Sequence, residues 1–184
     1  KSDAGNRVFV YFGAANYKTE VYLNGQKLGV HVGGFTPFNF EVTDLLRNKD
    51  NFLVVKMDNK RTKEGVPTLN TDWWNYGGIT RDVKLIETSS TFIRDYFIHL
   101  DKEDNGLIVG EVLLEGARAN NQTVSIQIPE LKLETMVTTD ASGRAQFEMR
   151  SKKISYWSPK NPKLYKVRLI TDKEQLQDQI GFRS

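Results

Sequence analysis

The chain has 184 residues, 39% hydrophobic, 27% charged and 11% aromatic, which is enough length and apolar content for one or two folded domains rather than a disordered segment. It has no cysteine, which excludes disulfides, a thiol nucleophile and cysteine-held zinc or iron–sulfur centres, and its two histidines, His31 and His99, are too few for a three-histidine metal site. The net charge is +3, with short basic clusters at Lys60-Arg61 with Lys63 and at Arg150 with Lys152-Lys153; these read as solvated loop charge, not as a nucleic-acid face, and no apolar run approaches a membrane span.

In chain order, the pattern is β throughout. Residues 7–12 are rich in β-branched and aromatic side chains. Residues 17–23 alternate, Asn24-Gly25 intervenes, and 26–30 follow; Asn-Gly is a strong hairpin signal because both central residues of a type I′ turn need positive φ. Val21/Leu23 and Leu28/Val30 are then expected on one buried face. Gly33-Gly34 permits a sharp bend, and Pro37 belongs at an edge or strand start. Thr43-Asp44-Leu45-Leu46 reads as one capped helical turn, and residues 52–58 as a strand. Residues 60–78 are long, irregular and polar-aromatic, the signature of a functional or disordered loop. Residues 79–87 resume the strand pattern.

A boundary is expected near Thr88-Ser89-Ser90-Thr91, dividing the chain into domains 1–89 and 90–184. Beyond it, strand-like runs fall at 92–100, 107–115, 122–129, 131–138, 144–149, 164–171 and 176–182. Seven short strands over about 94 residues have the rhythm of an immunoglobulin-like sandwich. No segment sustains a 3.6-residue apolar period, so no long helix is expected.

The segment that stands out chemically is Asp72-Trp73-Trp74-Asn75-Tyr76-Gly77-Gly78-Ile79. Aromatic faces stack on the C–H face of a sugar ring, while a carboxylate and an amide bond its hydroxyls. The same tryptophans could equally seal a sandwich edge or a domain interface, and both readings stand open on composition alone. His31 reads as a packed histidine anchoring the glycine bend, and His99 as structural. Asp58, Asp72 and Asp82 are candidate carboxylates for glycoside hydrolysis, which needs a facing pair, but spacing singles out none. There is no Gly-x-Ser-x-Gly elbow and no phosphate-cradling glycine loop. No ligand spacing demands a metal or cofactor.

The run from Asn24-Gly25 through His31-Val32-Gly33-Gly34-Phe35-Thr36-Pro37-Phe38 resembles the N-terminal sugar-binding jelly roll of family 2 glycoside hydrolases, which include β-galactosidases and β-glucuronidases. Asp72 through Val83 looks like the segment closing that jelly roll, and Asn75-Tyr76 is closer to its β-glucuronidase version. Trp157-Ser158-Pro159-Lys160-Asn161-Pro162-Lys163-Leu164-Tyr165 is similar to a motif of the immunoglobulin-like domain that follows, and Ile180-Gly181-Phe182-Arg183-Ser184 to its end. The resemblance implies an all-β fold: a jelly-roll (galactose-binding-like) sandwich, then an immunoglobulin-like one. It implies retaining hydrolysis by two glutamates on a (β/α)₈ barrel that 184 residues cannot include, so the chain alone is expected to be inactive. Asp72 matches the family's sugar-side aspartate, and Asp72, Trp73, Trp74, Asn75 and Tyr76 are the expected substrate-binding set, with no catalytic residue, metal ligand or cofactor.

The expected partners are a β-galactoside or β-glucuronide and the missing barrel, with homo-oligomerisation open and neither nucleic acid nor membrane. The chain starts at Lys1 without a leader, which reads as a mature chain or an excised piece. Its compartment stays open between periplasmic or secreted and cytoplasmic. The family's jelly roll has strands upstream of Arg7, so the first domain is expected to be incomplete, with an unpaired edge and exposed apolar surface. Without the barrel, the Asp72 loop is expected to be mobile or held by a neighbour. The competing classes are a stand-alone carbohydrate-binding module and a structural interaction protein.

Overall fold

The computed structural model describes residues 5–183; Ser184, the last residue of the closing motif, lies outside them. The chain folds as two compact β units, Lys1–Thr88 and Ser89–Ser184.

The first unit is built from two three-stranded antiparallel sheets. One has β1 (Arg7–Phe12) between β5 (Phe38–Glu41) and β8 (Val83–Thr88); the other has β3 (Lys18–Leu23) between β4 (Gln26–Val32) and β6 (Leu53–Asp58). A small third pair joins β2 (Ala15–Asn16) to β7 (Gly78–Ile79). Alternation aims Val8, Val10 and Phe12 of β1 and Val21 and Leu23 of β3 into one core, where Phe38, Phe40 and Val55 also pack. Phe12 is fully buried, and its ring stacks on Phe38 at 4.9 Å. Each fully buried side chain of this size contributes about 1.5–3 kcal/mol.

The Asn24-Gly25 turn forms as expected, with φ of 53° and 87°. The common buried face does not. Val21 pairs with Gly29 and Tyr22 with Lys27, so Leu28 is the extra residue of a β-bulge. Leu28 still packs against the core, but Val30 is turned outward and is 45% exposed. Gly29 takes the inward position because a Cβ there would lie 2.3 Å from the Phe40 ring. The helical turn at Thr43–Leu45 is 3₁₀ and has no side-chain cap; the Thr43 hydroxyl instead accepts a hydrogen bond from the Val8 backbone N–H at 2.9 Å. The strand expected over 79–87 is broken. Gly78–Ile79 pairs with β2 and Val83–Thr88 with β1, and residues 80–82 carry the chain from one sheet to another.

β6 and β8 are edge strands, and both expose apolar side chains: Val54 is 51% exposed and Leu85 68%. A cleft of about 200 Å³, lined by Val10, Leu23, Val42, Leu53, Val83 and Leu85, opens between them.

The second unit has seven strands in two sheets. β10 (Leu107–Gly116) lies between β9 (Thr91–Leu100) and β13 (Arg144–Arg150); the other sheet runs β12 (Leu133–Thr138), β11 (Thr123–Ile128), β14 (Tyr165–Ile170), β15 (Gln175–Ile180). Ile126, Ile128, Val167 and Leu169 from one sheet meet Ile108, Val112 and Phe147 from the other in a continuous core. Asn121 and Gly143 take positive φ in the turns before β11 and β13. Tyr165 is buried in this core, and its hydroxyl accepts the Ser155 N–H at 2.7 Å.

Candidate functional site

Residues 59–77 of the first unit form the long loop, and its own unit holds it at several points. The Arg61 guanidinium donates to the Trp73 carbonyl at 2.6 Å. The Thr68 hydroxyl donates to the Lys63 carbonyl at 3.1 Å. At the base, the Asn59 amide donates to the Asn75 carbonyl at 3.1 Å, and the Asn75 amide returns a bond to the Asn59 carbonyl. Asn16, in β2, donates to both Asn75 Oδ1 (3.0 Å) and the Tyr76 carbonyl (2.6 Å). The hydrogen bonds that hold the loop therefore come from its own unit.

With the base pinned, the aromatics stand outward. Trp73 is 62% exposed, Trp74 81% and Tyr76 73%. Side chains of this size are rarely left so bare without a task. They border a cleft of about 290 Å³ together with Phe35, Asn16 and Arg81, whose guanidinium donates to the Phe35 carbonyl at 3.1 Å. A second, more open cleft of about 560 Å³ shares Trp73, Trp74 and Asn75 and adds Asp72 and Arg61. The structure thus brings Trp73, Trp74 and Asn75 to both clefts, Tyr76 to the first and Asp72 to the second. Asn75 stands apart from the other four, because its side chain is engaged on both ends within the loop base.

The other candidate carboxylates line neither cleft. Asp58 accepts the Lys60 N–H at 2.9 Å, and Asp82 pairs with Lys84 at 3.2 Å. His31 stacks on Phe38 at 4.2 Å, with Nε2 3.2 Å from the Thr36 hydroxyl. Burial pushes its imidazole pKa down, and a Gly33 backbone contact opposes that. His99 places Nδ1 2.7 Å from the Leu100 carbonyl. Among the described residues no group of three or more His, Asp or Glu side chains could hold a metal ion. Sequence reasoning missed Asn16, Asn59, Arg61 and Arg81. The available signal for Asn16 was a lone amide beside Ala14 and Ala15, directly after a strand.

Two family models match in tandem. The sugar binding domain of glycosyl hydrolases family 2 covers residues 1–89, and a second glycosyl hydrolases family 2 model covers residues 91–183. Among curated relatives, a putative β-glucuronidase of Formosa agariphila is 28% identical over 95% of this chain, and a β-galactosidase of Thermoanaerobacter pseudethanolicus is 28% identical over 98%. The chain spans only 22% and 26% of those two proteins' lengths. A solved β-glucuronidase of Bifidobacterium dentium, complexed with coumarin-3-O-glucuronide, has a TM-score of 0.86 and 25% identity, covering 98% of this chain and 38% of that one. With its motifs in the family's order and family models over both units, the chain belongs to glycoside hydrolase family 2, of which it carries the sugar binding domain and the immunoglobulin-like domain.

Proposed function

We propose that this chain is the non-catalytic N-terminal portion of a retaining β-glycosidase of β-galactosidase or β-glucuronidase type, and that its first sandwich contributes the 59–77 loop to the sugar pocket of a (β/α)₈ barrel. The observation that carries the reading is the pair Trp73 and Trp74, bare at the surface yet seated on a hydrogen-bonded base beside Asp72. In this reading the indole faces stack on the apolar face of a sugar. Asp72 accepts hydroxyl hydrogen bonds, and an epimer that leaves the carboxylate unpaired is rejected.

The second sandwich is assigned to the support of the barrel. Retaining hydrolysis needs two carboxyl groups about 5–5.5 Å apart. Among the described residues the two clefts at the loop hold one carboxylate, Asp72, which fits the family reading that the acid/base and the nucleophile lie on the barrel.

The test is Asp72→Ala in the longer protein. Losing a charged hydrogen-bond partner costs about 1.5–3 kcal/mol, so kcat/KM for the preferred glycoside falls roughly ten- to a hundredfold. Unchanged turnover of both β-galactosides and β-glucuronides would overturn the reading. A second reading, a self-sufficient carbohydrate-binding module, draws on the 290 Å³ cleft, which lies wholly within the first unit and is close to the size of a small-ligand pocket. Calorimetry of the 184-residue chain separates the two: micromolar binding of a galactoside or glucuronide favours the module, and no heat supports the enzyme portion.

A further inference from the structure

We propose that Asn16 is the positioning residue of the aromatic loop, joined through Asn75 and Asn59 into a three-amide relay that fixes where Trp73, Trp74 and Tyr76 stand around the cleft. The inference rests on the loop's role as a sugar-contact surface and deepens it.

Asn16 is only 7% exposed, and a buried amide is costly unless its donors are used. Both are used, on two acceptors belonging to the loop's end, Asn75 Oδ1 and the Tyr76 carbonyl, while Asn16 Oδ1 is buried without a hydrogen-bond partner among the described residues. Two acceptors at one nitrogen leave a single orientation for the side chain. Asn75, its oxygen taken, turns its own amide to the Asn59 carbonyl, and Asn59 answers through its amide to the Asn75 carbonyl. Four hydrogen bonds thus join the loop's entry at Asn59, its exit at Asn75 and Tyr76, and a strand of the sandwich.

Glycines make room for the relay at both ends. A Cβ on Gly34 would lie 2.7 Å from Asn16 Oδ1, and one on Gly77 would lie 2.6 Å from Asn59 Nδ2. The Gly34 backbone therefore passes close against Asn16. Aspartate at position 16 would match the size but set an acceptor against two acceptors, and glutamine would overreach.

The experiment labels the 184-residue chain with 5-fluorotryptophan and records its fluorine spectrum, with Trp157 in the second unit as internal reference. Asn16→Asp should shift or broaden the Trp73 and Trp74 signals and leave that of Trp157 in place. Should Asn16→Asp fail to fold, Asn59→Ala, at an exposed position, is expected to move the same two signals by less. A folded variant whose three signals overlay those of the parent overturns the proposal.

In the longer protein, Asn16→Asp should raise KM roughly tenfold, the weight of one or two net hydrogen bonds, with kcat changed less than about twofold. A merely destabilised fold would instead lower the active fraction and with it kcat. Displaced signals with an unchanged KM overturn the positioning role. The sugar-contact reading fails separately, through an innocuous Asp72→Ala.

Discussion

The chain's three tryptophans serve two different ends. Trp157 in the second unit is half-buried; its backbone N–H donates to the Phe182 carbonyl at 2.6 Å, Gly181 packs against its side chain, and the Arg183 guanidinium lies 5.3 Å from its ring centre. It fastens Gly181, Phe182 and Arg183 to the sandwich. Trp73 and Trp74 in the first unit are presented instead: Arg61 holds the Trp73 carbonyl, and both residues stand mostly exposed to solvent. The same residue type is a structural clasp where its ring has neighbours and a presented surface where only its main chain does. The cores do not differ in this way: Phe12 and Val21 of the first unit are as fully buried as Ile108, Val112, Val124, Ile126, Ile128, Val167 and Leu169 of the second, and edge strands of both units carry bare apolar side chains, Leu85 and Val54 in the first and Phe97 and Met136 in the second.

If that contrast between clasp and presented surface holds, substitutions should sort by what the side chain touches. The largest effect is expected in the closed core: Leu169→Ala removes a fully buried side chain and should cost about 2–5 kcal/mol in denaturant unfolding followed by Trp157 fluorescence. A loss below about 1 kcal/mol would mean that this core is looser than its burial indicates.

Next comes Gly29→Ala, which drives a methyl group into the Phe40 ring. It should cost about 1–3 kcal/mol in the first unit, read by hydrogen exchange of the β1 and β3 amides, and a neutral result would place the bulge elsewhere.

A smaller, pH-dependent effect belongs to Glu20 on β3. The Lys27 ammonium, the Tyr22 hydroxyl and Lys56 hold its carboxyl down at about 2, against an ordinary 4.5. A depressed carboxylate adds stability that is fully present above pH 4.5 and is lost as the pH falls toward 2. Glu20→Gln should therefore flatten the stability profile of the first unit across that window, and parallel profiles would contradict the pairing.

The smallest effect is expected at Trp74. Trp74→Ala should leave the thermal midpoint of the chain nearly unchanged, within about 0.5 kcal/mol, because its ring supports nothing in the fold. A drop of several degrees would make the ring a clasp like Trp157.

Much of the fold was legible where local chemistry allows one answer. Asn24-Gly25 admits few conformations other than a tight hairpin turn, and Val124-Ser125-Ile126-Gln127-Ile128 alternates cleanly into a half-buried strand. The bulge at Leu28 was not legible from alternation, because Leu28-Gly29-Val30 reads as a regular strand until Phe40, ten or more residues away, claims the space over Gly29. The glycine inside the strand was the available clue. At the site, Asp72 through Tyr76 could be singled out by residue type, since exposed aromatics beside a carboxylate have a chemistry of their own. The partners that hold them could not. Asn16 lies 59 residues from Asn75, and only the pairing of β2 with β7 brings the two amides together. For the same reason Asn75, which sequence alone grouped with the ligand contacts, proves to have its side chain engaged in the loop's base.

The most direct measurement is a crystal structure of the longer protein with its sugar bound, reading the separation between the Asp72 carboxylate and the nearest sugar hydroxyl. The account predicts hydrogen-bond contact, about 2.5–3.0 Å, with an indole of Trp73 or Trp74 against the ring. A sugar seated in the barrel with Asp72 and both indoles beyond about 6 Å, out of reach even through one water, would contradict it.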